Sequence, residues 1–390
     1  MKISALICEY DPFHNGHRYM LEKMRENGSE YIIACMSGNF TQRGEFALFD
    51  KYSRTKIAVE NGIDTVIELP VTYACASAEK FAFGGIFLLK SLGCVDEIYF
   101  GSECGDISLL ENTADILLSA DIPEKIKKYL SLGQTFAKAR ENAVSEISET
   151  AADILRYPNN ILAVEYIKSA KILDTSFSVN TVRRTGTGHN STKTNGNIAS
   201  ATLIRQMITQ NNNDFKKYIP FSDIPDIHSF SKLETAFLYS LRMMSPDKFS
   251  VLPDVSEGLE NRLYSAVRNG ISSDDILSLA KTKRYTMSRL KRILLYAFLG
   301  ISRSDCDILP QYIKILGFSR KGRTVLRKMR KTAGLPVIMR YSDVRKLSSD
   351  ARYIYSLESR CDDIYALSGE NVIPCGRNMT QNAAEYFFTE

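Results

Sequence analysis

The chain has 390 residues, of which 44% are hydrophobic and 24% are charged. A chain of this length and composition can bury a large core and is expected to divide into two or three domains. No apolar stretch approaches the ~18 residues that span a bilayer, and the first residues lead directly into a predicted strand. We therefore expect a cytoplasmic protein without a transmembrane helix or a cleavable signal. The eight cysteines are scattered without CxxC pairs, which predicts reduced thiols rather than a zinc site or a disulfide framework.

Charge is unevenly shared along the chain. Residues 1–200 carry 21 basic and 25 acidic side chains, a net charge of −4, and residues 201–390 carry 29 and 20, a net charge of +9. Within the second half, the stretch from Lys281 to Lys331 holds 15 Lys or Arg residues against only Asp305 and Asp307. This asymmetry predicts that the second half binds a polyanion.

Residues 1 to about 205 alternate short apolar runs with helical patterns, which predicts a doubly wound α/β domain with a parallel sheet. The predicted strands are Ile3–Cys8, Tyr31–Ser37, Thr65–Leu69, Glu97–Gly101 and Ser176–Val182. Helices are predicted near 16–27, 50–62, 77–92 and 106–119. A further helical pattern, from about 123 to 170, is longer than a crossover requires and predicts a helical insertion.

From residue 206 to 390 the periodicity is mostly helical, which predicts an α-helical C-terminal domain. The predicted helices are Lys232–Met244, Leu259–Asn269, Ser273–Ala280 and Ser288–Phe298. Two runs, Val337–Met339 and Arg352–Leu357, are too short to distinguish strand from helix.

The most informative motif is His14-Asn15-Gly16-His17, which stands where the first strand should end and the first helix should begin. Ligands of open α/β sheets bind beyond the carboxyl ends of strands, and a helix N-terminus favours phosphate. Gly16 allows a close approach of the backbone, and His14 and His17 can donate to phosphoryl oxygens as charge develops. The motif predicts a nucleotide site, with an ordinary turn before a helix as the alternative.

A second motif begins a predicted helix after the polar loop 185–197. Ser200 or Thr202 can cap that helix and offer a hydroxyl to phosphate, and Arg205 lies one turn later as a charge clamp. An ordinary capped helix is the alternative.

Together, HxGH after the first strand and Ser-x-Thr-x-x-Arg at a helix start resemble the nucleotidyltransferases of the class-I-synthetase-like superfamily. Longer blocks narrow the resemblance to the bacterial tRNA(Met) cytidine acetate ligases, although Cys8 and Asp11 stand where an aliphatic residue and Asn are expected. The blocks lie at 8–17, 36–45, 66–70, 100–103 and 158–162. In that family ATP activates acetate to acetyl-adenylate, and the acetyl group passes to the exocyclic amine of the wobble cytidine of elongator tRNA(Met). The partners implied are therefore ATP, acetate and this tRNA, with Mg²⁺ accompanying the ATP phosphates.

The resemblance also implies site residues. His14, His17, Ser200 and Arg205 are expected to be catalytic. The residues expected to contact ATP are Ile7, Cys8, Glu9, Tyr10, Asp11, Pro12, Phe13, Asn15, Gly16, Gly101, Asn159, Asn160, Arg183 and Arg184. A tight turn is the alternative for Gly101 and a helix cap for the two asparagines, and Arg184 is favoured over Arg183. The acetate pocket is not located, and the candidates are the loops at 10–13 and 37–43.

Other cations have simpler explanations or a different partner. Lys51, Arg54 and Lys56 are interpreted as a solvated helix face and left out of the site, with contact to pyrophosphate as the alternative. The predicted RNA contacts are Lys283, Arg284, Arg289, Arg292, Arg323 and Arg327, with Tyr285 able to stack on an exposed base. Two other functions stay open: a nucleotidyltransferase for a small phosphorylated substrate, and a non-catalytic RNA-binding protein.

Overall fold

The computed structural model describes residues 1–184, 196–256 and 258–386. Most of the polar loop predicted at 185–197 therefore lies outside the described residues. Within the described ranges, no helix is both long and apolar enough to cross a membrane.

A mostly parallel sheet forms the centre of the molecule. Its strands are β1 (Ile3–Cys8), β2 (Tyr31–Ser37), β3 (Thr65–Leu69), β4 (Glu97–Ser102), β5 (Ser178–Arg183), β6 (Ile313–Ser319), β7 (Val337–Ile338) and β8 (Ala384–Tyr386). The order is β5-β4-β1-β2-β3-β6-β7, and β8 pairs with β6. Strands β1 to β5 are parallel, as expected, and all five lie within two residues of their predicted bounds.

Helices cover both faces of this sheet. In the first half they are α1 (Asn15–Glu26), α2 (Lys51–Glu60), α3 (Val71–Ala74), α4 (Ala78–Ser91), α5 (Ile107–Leu118), α6 (Ile122–Ser131), α7 (Phe136–Ser145), α8 (Glu149–Ile154), α9 (Pro158–Ile172) and α10 (Ala201–Thr209). Alternate residues of β2 point to opposite faces, so that Ile33 and Cys35 pack with α4 and α9, and Ile32 and Ala34 pack with α1 and α2. The doubly wound architecture is confirmed.

The predicted insertion at 123–170 is shorter than expected. Helices α6, α7 and α8 follow one another between α5 and α9, but α9 is the crossover helix that leads into β5. Its residues Ala163, Val164 and Ile167 are buried in the same core as α4. The inserted segment is therefore α6 to α8, because the apolar face of α9 is needed to cover the sheet.

The second half is mainly helical. Its helices are α11 (Glu234–Arg242), α12 (Pro246–Ser250), α13 (Leu259–Asn269), α14 (Ser273–Ala280), α15 (Met287–Leu299), α16 (Arg303–Cys306), α17 (Gly322–Thr332), α18 (Tyr341–Val344), α19 (Ser349–Tyr365) and α20 (Arg377–Thr380). The undecided run at 337–339 contains β7, and the run at 352–357 belongs to α19.

Three strands, β6, β7 and β8, lie in the mainly helical second half, and the longest of them, β6, was not predicted. Strand β6 is fully buried and pairs antiparallel with β3, with Thr65 opposite Phe318 and Ile67 opposite Ile315. The sheet therefore continues across the predicted domain boundary at residue 205, because the exposed edge of β3 is covered by a strand from the second half.

Candidate functional site

A cavity opens where the sheet changes direction. Strands β2 and β3 are added in sequence on one side of β1, and β4 and β5 are added on its other side. The order of the strands therefore reverses between β1 and β4. A cavity of about 310 Å³ lies at the carboxyl ends of these strands. This is the place at which open α/β sheets bind ligands.

The two histidines of the first motif are locked at the start of α1. His14 caps the helix, because its Nδ1 accepts the backbone N–H of Gly16 at 3.0 Å. The Nδ1 of His17 in turn accepts the N–H of His14 at 3.2 Å, and the two rings stack with centroids 3.7 Å apart. Because both Nδ1 atoms accept hydrogen bonds, the ring proton of each neutral histidine is on Nε2. Both rings are therefore set as donors beside the cavity.

The capping arrangement of the two histidines requires glycine at position 16. A Cβ atom at this position would lie 2.9 Å from Cε1 of His14 and 3.7 Å from Cγ2 of Ile198. A side chain here would push the capping imidazole out of place. Ile198 also brings the segment before α10 against the start of α1.

The second motif meets the first at the cavity. Ser200 caps α10, with its Oγ accepting the N–H of Leu203 at 3.2 Å. Arg205 donates to the carbonyl oxygen of Asp11 at 2.6 Å, and its guanidinium lies 3.3 Å from Oδ2 of the same residue. The N-termini of α1 and α10 thus converge on one cavity, and their positive dipole ends favour an anion there.

The opposite wall of the cavity is formed by the ends of β4 and β5. Gly101 and Asn159 line it, and a Cβ at Gly101 would lie 3.2 Å from Cγ of Arg184. The carboxylate of Glu103 accepts the amide of Asn159 at 2.6 Å and the N–H of Asn160 at 2.8 Å. These bonds fix the start of α9 against the end of β4.

The structure brings most of the predicted residues together. Those lining the cavity are Ile7, Cys8, Glu9, Tyr10, Asp11, His14, Gly16, His17, Gly101, Asn159, Arg183, Arg184, Ser200 and Arg205. Four others are placed elsewhere: Pro12, Phe13, Asn15 and Asn160. Phe13 is buried in the core, and Asn15 donates to the carbonyl oxygens of Asn197 and Lys217.

Asn160 has a structural role, which corrects its predicted contact with a nucleotide. It is buried, and its Oδ1 accepts the N–H groups of Glu103 and Cys104 at 2.8 and 3.1 Å. The helix-cap alternative is close to what the structure has, with the asparagine closing the turn after β4.

One wall of the cavity is formed by a loop that the sequence predicts only in part, as a candidate acetate pocket over residues 37–43. The segment Thr41–Glu45, hereafter the cavity loop, is a tight turn in which the N–H of Thr41 donates to the carbonyl of Glu45. Gly44 has φ +75, and a Cβ there would lie 2.6 Å from the backbone N of Arg292. Residues 37–43 are predicted only as candidates for the acetate pocket, and Gly44 and Glu45 are not predicted as site residues.

The interpretation of Lys51 and Arg54 as solvated is wrong, whereas Lys56 is exposed as expected. Arg54 is fully buried and donates to the backbone carbonyls of Glu9, Ser37, Gly38 and Phe49. It thereby ties the end of β1 to the end of β2 and to the start of α2. A buried guanidinium can do this because its donors match several carbonyls at once.

Lys51 belongs to a buried charge cluster that joins α2, β3, β6 and α19. Its ammonium lies 2.6 Å from Oε1 of Glu68 and also pairs with Asp362 of α19, and Lys314 of β6 lies 2.8 Å from Oε2 of Glu68. The two ammonium groups hold the pKa of Glu68 at about 2 against the opposing effect of burial. Nearby, burial and the charge of Glu68 raise the pKa of Glu358 to about 7.

The predicted RNA contacts separate into two groups in space. The cavity-side cluster consists of Lys281, Lys283, Arg284, Arg289, Lys291 and Arg292. It adjoins the cavity loop, because Nζ of Lys291 lies 2.5 Å from Oε1 of Glu45. The far cluster consists of Arg320, Lys321, Arg323, Arg327, Lys328, Arg330 and Lys331. It begins beside Asp64 at the amino end of β3, so it lies at the opposite end of the parallel strands.

Within the cavity-side cluster, only some side chains face solvent. Lys283 and Arg284 are exposed, but Arg292 is buried against Asp254, and Arg289 donates to the carbonyl of Asp254 at 2.6 Å. Tyr285 is buried beneath the guanidinium of Arg289, so its predicted stacking on a base is wrong. In the far cluster Arg323 and Arg327 are exposed, and Arg323 pairs with Glu385.

Neither a metal cluster nor a disulfide is found in the described parts of the chain. No group of three or more His, Cys, Asp or Glu side chains there is arranged to hold a metal ion. All eight cysteines are described and all are free thiols, as predicted.

The fold and the site together define a nucleotide-binding protein of the nucleotidyltransferase type. A profile of the family described as HIGH Nucleotidyl Transferase matches residues 1–378. Two relatives are named tRNA(Met) cytidine acetate ligase. That of Clostridium kluyveri is 38% identical, and that of Thermoanaerobacter sp. (strain X514) is 40% identical. Each alignment covers 95% of this chain and 96% of the relative. The chain therefore belongs to the HIGH nucleotidyl transferase family and, within it, to the tRNA(Met) cytidine acetate ligases.

Solved structures agree with this assignment. The apo form of Thermotoga maritima TmcAL superposes with a TM-score of 0.93 at 32% identity, covering 99% of this chain and 100% of that chain. A second form of the same protein, bound with alpha-thio ATP, has a TM-score of 0.91 at 31% identity.

Proposed function

We propose that this protein uses ATP to activate acetate as acetyl-adenylate and then transfers the acetyl group to the exocyclic amine of the wobble cytidine of elongator tRNA(Met). The observation that carries the proposal is the meeting of the HxGH and Ser-x-Thr-x-x-Arg motifs on one cavity at the point where the sheet reverses. The names of the relatives supply the acceptor and the acyl donor. A tRNA-modifying enzyme of this kind works in the cytoplasm.

In the first step an acetate oxygen attacks the α-phosphorus of ATP and pyrophosphate leaves. His14 and His17 present Nε2–H donors that stabilise the charge developing on phosphoryl oxygens. The dipoles of α1 and α10 act in the same direction, and Arg205, held by Asp11, adds a fixed positive charge. Gly101, Asn159, Arg183 and Arg184 hold the nucleoside end against β4 and β5.

Magnesium fits this site only as a companion of the nucleotide. In the absence of a three-ligand group among the described residues, the ion would be carried by the ATP phosphates and water. When bound, the ion neutralises the pyrophosphate that leaves.

The tRNA approaches from the side of the cavity loop. Lys283 and Arg284 are exposed next to the segment that contacts this loop, and phosphate contacts from such cations supply affinity without reading sequence. The far cluster lies at the other end of the strands, so any contact it makes is with a different part of the same tRNA.

Incubation with labelled acetate and ATP, with and without tRNA, tests this function. We expect acetate-dependent exchange of pyrophosphate into ATP without tRNA, and label on tRNA when it is present. Label on a small phosphorylated acceptor would instead indicate a plain nucleotidyltransferase. Absence of both reactions in a folded protein that still binds tRNA would indicate a non-catalytic RNA-binding protein.

A further inference from the structure

We propose that the carboxylate of Glu9 is the general base of the second step, accepting the proton that the cytidine amine loses as it attacks acetyl-adenylate. This proposal rests on the proposed function and adds a catalytic residue to it. The first step needs no base, because acetate is already an anion. The second step does, since the nitrogen becomes acidic as its lone pair is used.

The atoms of the step balance as follows. The amine nitrogen forms a bond to the carbonyl carbon of acetyl-adenylate, and the bond from that carbon to the phosphate oxygen breaks. AMP leaves with the electron pair of that bond. The proton from the amine passes to a carboxylate oxygen of Glu9 and then to solvent.

The histidines and Asp11, which also line the cavity, already use their acceptor atoms in hydrogen bonds or ion pairs. The Nδ1 atoms of His14 and His17 accept backbone N–H groups, so both rings present donors rather than acceptors to the cavity. Asp11 accepts the N–H of Leu48 at 2.7 Å and pairs with Arg205. Among the described cavity residues, the carboxylates of Glu9 and Glu45 stay as candidate bases.

Glu45 is the poorer candidate of the two. It is half-buried and paired with the ammonium of Lys291 at 2.5 Å, which stabilises its charge and lowers its affinity for a proton. Glu9 accepts one hydrogen bond, from the backbone N–H of Gln42 at 2.7 Å, and forms no ion pair within the described part of the chain.

The surroundings of Glu9 favour proton uptake. Burial raises the pKa of this carboxyl, and the negative charge of Asp11 raises it further, whereas the Gln42 hydrogen bond and the charges of Arg205 and Arg54 act in the opposite direction. Tyr166 of α9 also lines the cavity, and burial and the charge of Glu9 raise the pKa of its phenol well above the usual value. Glu9 is half-buried, as Glu45 is, and a partly desolvated carboxylate with a raised pKa is a stronger base than a fully exposed one.

Position also favours Glu9. It follows β1 directly, and its hydrogen bond with Gln42 places it against the cavity loop. The same loop contacts Arg292 through Gly44 and Lys291 through Glu45. Glu9 therefore lies on the side from which the tRNA approaches, opposite the wall formed by Gly101 and Asn159.

The test compares the two steps in Glu9→Gln. The amide keeps an oxygen for the Gln42 N–H, and we expect acetyl transfer at saturating tRNA to fall by roughly 100-fold or more while acetate-dependent pyrophosphate exchange falls far less. The transfer rate of the unmodified protein should decline at low pH as Glu9 takes up a proton, and this decline should be absent from Glu9→Gln. Glu9→Asp should recover part of the rate.

Glu45→Gln is the matched control, since it removes the other cavity glutamate and should keep the decline at low pH. An equal loss of exchange and transfer in Glu9→Gln, or an unchanged pH profile, would overturn the role of Glu9. If Glu9→Gln does not fold, the pH profile of Glu9→Asp decides, because a shorter carboxylate keeps the decline with a reduced rate. A wild-type chain that acetylates no tRNA would overturn the proposed function as well.

Discussion

The cavity-side cluster and the far cluster are similar in sequence and different in structure. Each is a dense run of Lys and Arg in the second half of the chain. The first is joined to the cavity through Glu45 and Lys291, whereas the second begins beside Asp64 at the amino ends of the strands. Net charge therefore predicts a polyanion partner without predicting which cations lie near the chemistry.

Some cations of the cavity-side cluster and of the basic stretch around it are buried, and others are exposed. Arg292 is 7% exposed and Lys314, in the same basic stretch, is buried beside Glu68. These two side chains stabilise the fold through ion pairs, so part of the local positive charge is not available to RNA. The RNA-binding role of the two clusters is therefore compared through their exposed side chains. These are Lys283 and Arg284 in the cavity-side cluster, and Arg323 and Arg327 in the far cluster.

The largest effect is expected from His17→Ala, which separates catalysis from both clusters. Loss of one preorganised donor to the developing charge costs about 3 kcal/mol, so acetate-dependent pyrophosphate exchange should fall by about 100-fold. Affinity for tRNA should stay at the wild-type value in a filter-binding titration. We choose His17 because the Gly16 N–H then keeps its bond to His14, although the variant loses the His17 bond to the N–H of His14. Near-normal exchange by a folded His17→Ala protein would contradict the assigned role.

Arg292→Ala should act on stability rather than on RNA contacts. The substitution removes a buried side chain and its contact with Asp254, and we expect the free energy of unfolding to fall by about 1 to 3 kcal/mol. The control is Arg327→Ala, an exposed cation of the far cluster, which should change stability by less than about 0.5 kcal/mol. Denaturant unfolding of both variants measures the difference. Equal stability of the two would show that Arg292 is not held as the structure has it.

Glu358→Gln should have the smallest effect, and the effect depends on pH. The folded-state pKa of Glu358, about 7, lies above its ordinary value of 4.5, mainly because of burial. Its contribution to stability is therefore complete below pH 4.5 and is lost as the pH rises through 7. Unfolding measured from pH 5 to 8 should show this loss as a falling free energy of unfolding in the wild type. A profile equally steep in Glu358→Gln would assign the dependence to other groups.

Much of the fold was predictable because the strand patterns, the turn residues and the helix-capping residues indicate the same elements. The runs at Ile3–Cys8 and Tyr31–Ser37 are strand-like and bounded by turns, and His14 and Ser200 stand at helix starts where capping residues are expected. Local patterns of this kind do not depend on distant residues. Most residues that line the cavity were predictable for the same reason, since the motifs lie at strand and helix ends.

The features that were not predicted depend on interactions between distant segments. Strand β6 is not predicted because Ile313–Ser319 lies within a basic stretch whose flanking periodicity is helical, although its own apolar run is strand-like. Arg54 and Lys51 carry charges at helical spacing, which predicts a solvated face, but the carbonyls and carboxylates that hold them come from β1, β2 and α19. Such partners cannot be identified from local sequence.

The central claim is that both steps take place at the carboxyl ends of the strands, with the tRNA presented there by the cavity-side cluster. The most direct test compares Lys283→Ala/Arg284→Ala with Arg323→Ala/Arg327→Ala, two matched pairs of exposed cations. Transfer of labelled acetate is measured at saturating tRNA beside tRNA affinity at several salt concentrations. We predict that the first pair lowers the transfer rate by roughly tenfold or more, because the wobble base is misplaced. The second pair should affect only affinity, reducing the log–log salt slope by roughly 0.7 to 0.9 for each phosphate that is no longer bound. A wild-type transfer rate in the first pair, or an equal loss of rate in the second, would contradict the claim.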